Sequence, residues 1–263
     1  MRTDLQPGYV LHRRPYRDTS LLIELFVAQK GIVSVVAKGA RNRSRRGSVG
    51  TLLQPFSPLL VSFSGRSDLK TLTATESAAP PYGLTGERLY SGMYLNELLV
   101  RLMHRHDPHP RLFAAYGDAL QQLALPLPAA PTLRAFELLL LDELGYSFSL
   151  THEAVSGSRV EADARYRYEP GHGLYPALQA DGGYSGQDLL AMAAGEFGGE
   201  VAPHAKRLLR EALAEHLGSE PLRSRELFLG RKRGPGPGGG TMRRDRSRAV
   251  AVDDRDASPG GSE

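Results

Sequence analysis

The sequence predicts an α+β fold, with a small β-barrel in residues 1–80 and a mainly α-helical domain in residues 81–230. Three observations carry that reading. Five short runs of β-branched or apolar residues, separated by turn residues, fall within the first 80 positions. At Pro80 and Pro81 the hydrophobic period changes from two to about 3.6. The chain has 263 residues, 41% hydrophobic and 24% charged, which is enough to bury a core without disulfide or metal staples and is ordinary for a globular protein.

The predicted strands are 9–12, 21–27, 32–37, 59–63 and 69–73, punctuated by Pro15, Asp18, Gly31 and the Gly65 turn. Five short strands joined by glycine-containing turns fit a closed barrel of the OB type, which leaves no edge strand to protect; an SH3-like barrel fits almost as well. The helical domain opens with Leu89, Met93, Leu95, Leu98, Leu99, Leu102 and Met103 at helical intervals, followed by a second helix carrying Leu112, Phe113, Tyr116, Leu120 and Leu123. A third helix is expected from an N-cap at Thr132 to Gly145 just past its end, and its run Leu138, Leu139, Leu140 and Leu141 places it at the centre of a bundle. Residues 146–184 break the helical pattern, with Tyr166 to Tyr168 and Gly173 to Tyr175 reading as a small hairpin in an irregular insert. Helices resume at Ser185, whose spacing to Asp188 makes a capping box, and continue through Ala205, Leu208, Leu209, Ala212, Leu213 and Leu217 to Gly218. Residues 231–263, rich in Gly, Pro and Arg, are expected to be a disordered basic tail.

The formal charge of +4 conceals a gradient. Residues 1–80 carry 12 basic and 5 acidic side chains, residues 81–230 carry 13 and 19, and the tail carries 8 and 5. A basic front points to a polyanion partner. Within it Lys38, Arg41, Arg43, Arg45 and Arg46 crowd one loop, and no acidic residue occurs between Glu24 and Asp68. Such a loop would pair with phosphates and release counterions, binding DNA or RNA with little sequence preference. Arg66 and Lys70 extend the candidate set, while Tyr9, Tyr16, Phe56 and Phe63 are the barrel aromatics available for base stacking or, more simply, for the core.

Other chemistries find little support. The absence of cysteine removes disulfides, thiolate metal sites and cysteine nucleophiles. There is no G-x-S-x-G elbow and no Walker lysine, and the Gly234, Gly236, Gly239 pattern follows no strand and opens no helix. His104, His106 and His109 cluster around Asp107, which keeps a metal-dependent nuclease as an alternative, although i, i+2 spacing would set two of them on opposite helix faces. An RNA-binding OB module is the other alternative. Glu97, Glu137, Asp142 and Glu143 read as solvated faces or caps. Arg134 reads as an i, i+3 ion-pair partner of Glu137, and Lys206, Arg207 and Arg210 as a second basic patch able to hold an acidic peptide. No stretch is apolar enough to span a membrane, and the first residues lack a signal-type apolar segment, so a cytoplasmic protein without cofactors or catalytic residues is expected.

Six strings taken together carry a family resemblance: "VLHRRPYRDTSLLIELF" from Val10, "VVAKGAR" from Val35, "LQPFSPLL" from Leu53, "LYSGMYLNELL" from Leu89, "LRAFELLLLDELGY" from Leu133 and "LRSRELF" from Leu222. In this order and spacing, over about residues 5 to 230, the chain resembles the bacterial RecO family of recombination mediators, closest to the proteobacterial type. The resemblance implies an N-terminal OB-fold, a helical domain and a role in DNA repair. It also implies binding of single- and double-stranded DNA, annealing of complementary strands, recognition of the acidic, Phe-terminated tail of single-stranded DNA-binding protein (SSB), and action with RecR to promote RecA loading at the nucleoid. It aligns Lys38 and Arg41, extended by Arg43, Arg45 and Arg46, with DNA contacts. Arg134 aligns with the arginine that receives the SSB tail, and Lys206 and Arg207 become weaker candidates for the same site. Many relatives carry a four-cysteine zinc module in the insert; here residues 152–175 have no cysteine, so no zinc is expected.

Overall fold

The computed structural model describes residues 4–42, 49–178 and 182–232; Arg43, Arg45, Arg46 and the tail beyond 232 lie outside the described residues. Alternation along the first strands feeds two different cores. In β1 (Gln6–Tyr16), β2 (Ser20–Val27) and β3 (Gly31–Ala37), Val10, Leu21, Ile23, Leu25, Val27, Val33 and Val35 point into the barrel. There they meet Leu59, Val61 and Phe63 of β4 (Leu59–Ser64). The opposite parity, Tyr9, Leu11, Phe26 and Ile32, joins the core of the helical domain. Hence every residue of β3 is buried, and apart from Ser34 the strand is apolar on both faces rather than alternating.

The barrel closes in the order β1-β2-β3-β5-β4, where β5 spans Lys70–Ser77. All pairs are antiparallel except β3 with β5. That crossover belongs to the five-stranded OB barrel and displaces the SH3-like alternative. A short helical turn, α1 (Val49–Leu52), precedes β4, and the fully buried Leu53 behind it enters the barrel core. Two strands outrun their expected lengths. The register of β1 shifts between Val10 and His12, and its polar residues beyond the shift hide the alternation even though Pro15 still pairs with Leu21.

Helices α2 (Gly86–Leu102), α3 (Pro110–Ala124) and α4 (Ala129–Glu143) follow. The N-cap of α4 is Pro128, not Thr132, which lies inside the helix. Pro131 falls in the first turn, where backbone N–H groups have no intrahelical partner, so the helix extends back through it. Its end is as expected. Gly145 at φ 79° lets its own N–H reach Asp142 O at 3.0 Å and Tyr146 N–H reach Leu141 O at 2.8 Å, a Schellman closure.

Barrel and helices share an aromatic seam. Tyr9 and Phe26 pack on Phe113 and Tyr116 with ring centroids 5.0 to 6.1 Å apart. Asn96 ties the seam polarly, donating to Leu11 O at 2.9 Å and accepting from the Tyr116 hydroxyl at 2.5 Å. Gly31, at φ 62°, lies so close to the α2–α3 loop that a Cβ there would sit 2.0 Å from the Asp107 carbonyl oxygen.

The insert contributes β6 (Arg165–Glu169), β7 (Gly173–Ala177) and β8 (Tyr184–Ser185), in the order β7-β6-β8. With α5 (Gly186–Ala193) and α6 (Val201–Leu217) they enclose a third core around Tyr166, Leu174, Tyr184, Leu189 and Leu208. The Ser185 hydroxyl accepts from Asp188 N–H as a cap, but the Asp188 carboxylate pairs with His204 at 2.7 Å instead of completing the box. A final helix, α7 (Arg223–Lys232), takes in the first two residues of the expected tail. Its first N–H groups, on Arg223 and Ser224, are capped by the Glu97 carboxylate of α2, at 2.9 Å each. Burial pushes the Glu97 carboxyl up, but bonds from the Ser224 hydroxyl, both amides and nearby Arg101 outweigh it, and the net shift is downward.

Candidate functional site

Strand pairing gathers cations that are far apart in sequence. Pro15 and Ala37 flank Leu21 on the two sides of β2, so Arg14, one residue before Pro15, and Lys38, one residue after Ala37, adjoin positions only two strand spacings, about 10 Å, apart. The β1–β2 turn and the loop after β3 are stitched together by Arg41, whose N–H donates to Thr19 O at 2.9 Å and whose guanidinium donates to Asp18 O at 3.2 Å and Arg17 O at 3.4 Å. Arg13 donates to Gly50 O at 3.1 Å. Together Arg13, Arg14 and Arg41 line an open hollow of about 490 Å³ at the barrel mouth. Arg17 lies over the Tyr16 ring at 5.3 Å, and Lys38 is exposed. Arg13 and Arg41 donate to neutral carbonyls, which orient a guanidinium without cancelling its charge.

The acid of β2 is neutralised from the other domain. Arg105 reaches Glu24 at 3.1 and 3.3 Å, and the Ser34 hydroxyl donates to the same carboxylate at 2.8 Å. This preserves the positive surplus at the mouth. Lys38 and Arg41 therefore gain Arg13, Arg14 and Arg17 as neighbours, residues that sequence reasoning missed. Their signal was the string His12, Arg13, Arg14, Pro15, Tyr16, Arg17, legible only once the register is known. Arg66 and Lys70 lie elsewhere. Lys70 aligns with Val35, and the turn before it runs toward the start of β3, where Asp68 comes within 3.8 Å of His106. Tyr9, Phe56 and Phe63 are buried core, leaving Tyr16, half-buried beneath Arg17, as the aromatic at the mouth.

In the helical domain Arg134 is 7% exposed and Glu137 1% exposed, so Glu137 is not on a solvated face. Arg134 Nη2 bonds Glu137 Oε1 at 2.5 Å, and the Tyr94 hydroxyl donates to the same oxygen at 2.6 Å. Burial pushes the Glu137 carboxyl up to about 7, against the opposing effects of Arg134, Tyr94, Arg225 and Lys206. Lys206 of α6 and Arg225 of α7 thus act electrostatically on the same carboxylate, Arg225 being a residue the sequence does not single out. Arg207 turns the other way, donating to Gly183 O and lying over the Tyr184 ring at 4.3 Å. The site therefore brings Arg134 and Lys206 together and leaves Arg207 to the insert.

The histidines do not form one cluster. Helix α2 ends at Leu102, so the argument from helix faces does not apply. His104 is exposed, His106 faces Asp68, and His109 lies 3.3 Å from both Asp107 and Glu143, with Arg111 3.0 Å from Glu143. Among the described residues no group of three or more His, Asp or Glu could hold a metal ion, and no helix is long and apolar enough to cross a membrane.

A closed OB-type barrel with an arginine-lined mouth, joined through an aromatic seam to a helical region, defines the class: an OB-barrel protein with a helical extension. Residues 1–81 match the family model described as recombination protein O N terminal, and residues 84–226 match that of its C terminal. The chain belongs to the RecO family. It is 46% identical over 233 residues to the DNA repair protein RecO of Stutzerimonas stutzeri (strain A1501), covering 88% of this chain and 95% of that one. Against the DNA repair protein RecO of Pseudomonas paraeruginosa (strain DSM 24068 / PA7) identity is 47%, with 88% and 97% covered, and against that of Haemophilus influenzae (strain 86-028NP) it is 46%, with 87% and 97% covered.

Proposed function

We propose that this protein is a non-enzymatic mediator of recombinational DNA repair that works in the cytoplasm at the nucleoid. It binds single- and double-stranded DNA through the barrel mouth and anneals complementary strands. The observation that carries this reading is the group of guanidiniums held by backbone carbonyls beside the Lys38 loop, which orients positive charge while leaving it uncompensated. Arg13, Arg14 and Arg17 join Lys38, Arg41, Arg43, Arg45 and Arg46 as backbone contacts, with Arg66 and Lys70 at the periphery. Neutralising two backbones at once lets bases sample pairing without covalent chemistry. The helical domain tethers the protein to the SSB tail through Arg134, assisted by Lys206 and less by Arg207, and RecR and RecA follow downstream as family membership suggests.

The test is the salt dependence of binding to a labelled single strand. If the eight cations of the mouth and its loop all engage, log K falls against log salt with a slope of about −5.6, at about 0.7 per neutralised phosphate. Arg13→Ala and Arg14→Ala are each expected to reduce that slope by about 0.7 and to weaken single and double strands alike. A slope unchanged in the double variant overturns the mouth as the DNA surface. A clear preference for RNA over DNA of the same sequence in competition overturns the repair role in favour of an RNA-binding module.

A further inference from the structure

We propose that Glu137 is a built-in stand-in for a ligand carboxylate: it occupies Arg134 in the free protein, and the C-terminal carboxylate of an acidic peptide displaces it while Glu137 takes up one proton from solvent. This rests on the reading of Arg134 as the peptide acceptor. Arg134 holds Glu137 through one bond of 2.5 Å, on an oxygen it shares with the Tyr94 hydroxyl. Arg134 Nε and Glu137 Oε2, both buried, have no hydrogen-bond partner. The pair therefore lacks the second, parallel bond that a guanidinium and a carboxylate ordinarily make. A donor and an acceptor are both left open in one enclosed place.

Four elements act on this carboxylate, Tyr94 of α2 by a hydrogen bond and Arg134 of α4, Lys206 of α6 and Arg225 of α7 by positive charge, while α3, packed on α4, adds no charge. Three cations around one buried carboxylate leave a surplus of positive charge. A second carboxylate in contact with Glu137 favours protonation of one of the two, and burial already pushes Glu137 up to about 7. Loss of Arg134 and arrival of a like charge push it further in the same direction. The proton settles on Glu137, whose open Oε2 then carries a donor that can face the incoming carboxylate, and Arg134 presents its full fork to the ligand. Binding is thus coupled to proton uptake, and Glu137 and Tyr94 act as positioning residues for Arg134.

The test uses the full chain and a synthetic acidic peptide ending in Phe with a free carboxylate, titrated calorimetrically between pH 6 and 8.5 in buffers of different ionisation enthalpy. The expected result is uptake approaching one proton at pH 8. Affinity should rise about tenfold per pH unit as pH falls from 8.5 and flatten below about 7. Glu137→Gln is expected to bind about tenfold more tightly at pH 8 with no pH dependence, and Tyr94→Phe to move the onset to higher pH. If Arg134→Ala abolishes binding but wild-type affinity is flat with pH and buffer-independent, the stand-in role is overturned and the acceptor reading survives. If Arg134→Ala binds the peptide as well as wild type does, or a carboxy-amidated peptide binds equally, the acceptor reading itself falls.

Discussion

The barrel mouth and the heart of the helical domain both present arginine, but hold it in opposite ways. Arg13 and Arg41 are tied to backbone carbonyls at the edge of an open hollow. Arg134 is tied to a carboxylate in the interior. A carbonyl fixes direction and leaves the full charge for a passing polyanion, so the mouth suits many weak, salt-sensitive contacts. A buried carboxylate cancels the charge and makes its release conditional, so Arg134 suits one ligand that can replace Glu137. Arg105 shows the same logic across the seam: it is spent on Glu24, and by being spent it keeps the mouth positive.

Separating the two regions is expected to give the largest effect. Any side chain at Gly31 must adopt a positive φ and place a Cβ 2.0 Å from the Asp107 carbonyl oxygen. Gly31→Val should cost upward of about 4 kcal/mol in chemical denaturation, combining backbone strain with a clash that only a shift of the α2–α3 loop relieves. Arg105 would move away from Glu24, so DNA affinity in any folded fraction should fall as well. A variant with wild-type stability would show that the seam does not lock barrel to helices.

A smaller effect separates the buried arginine from the exposed ones. Glu137 titrates at about 7 in the fold against an ordinary value of 4.5. The folded state therefore holds this proton more tightly than the unfolded chain does. The stability it contributes is complete below about pH 4.5 and is lost as pH rises through about 7, a change on the order of 3 kcal/mol. Glu137→Gln should remove that slope between pH 5 and 8 in urea titrations, whatever its absolute stability, which also carries the cost of leaving Arg134 without a carboxylate. A slope that survives in the variant would place the titrating group elsewhere.

What could be read from the sequence divides along similar lines. The five strand runs and the change of period were legible because burial on one face leaves a periodic trace. The β3–β5 crossover left none, since it depends on which strand edges meet. Thr132 misled because a polar residue near a helix start looks like a cap, whereas Pro131 inside the first turn extends the helix. Helix α7 was missed because its cap, Glu97, comes from a helix more than a hundred residues earlier. Glu137 looked solvated because nothing local tells a surface glutamate from one enclosed by Tyr94, 43 positions away. Arg134 was foreseen as a pair with Glu137 because i, i+3 spacing is local, while Arg13 and Arg14 needed the register of β2.

The finest test of the contrast lies within the barrel itself. Arg66, exposed, and Lys70, half-buried, share the sign expected of phosphate contacts, but they sit on the β4–β5 side, where Asp68 faces His106, rather than beside Arg41. If position at the mouth is what makes a cation useful, charge alone should not suffice. Arg66→Ala is then expected to change single-strand affinity by less than about twofold, within the ±0.5 kcal/mol typical of isolated surface substitutions, and to leave the salt slope unaltered, while Arg13→Ala lowers it. Equal losses from the two variants, measured by anisotropy at the same ionic strength, would mean that the DNA path wraps the barrel from mouth to seam. The hollow would then be one station on that path instead of its centre.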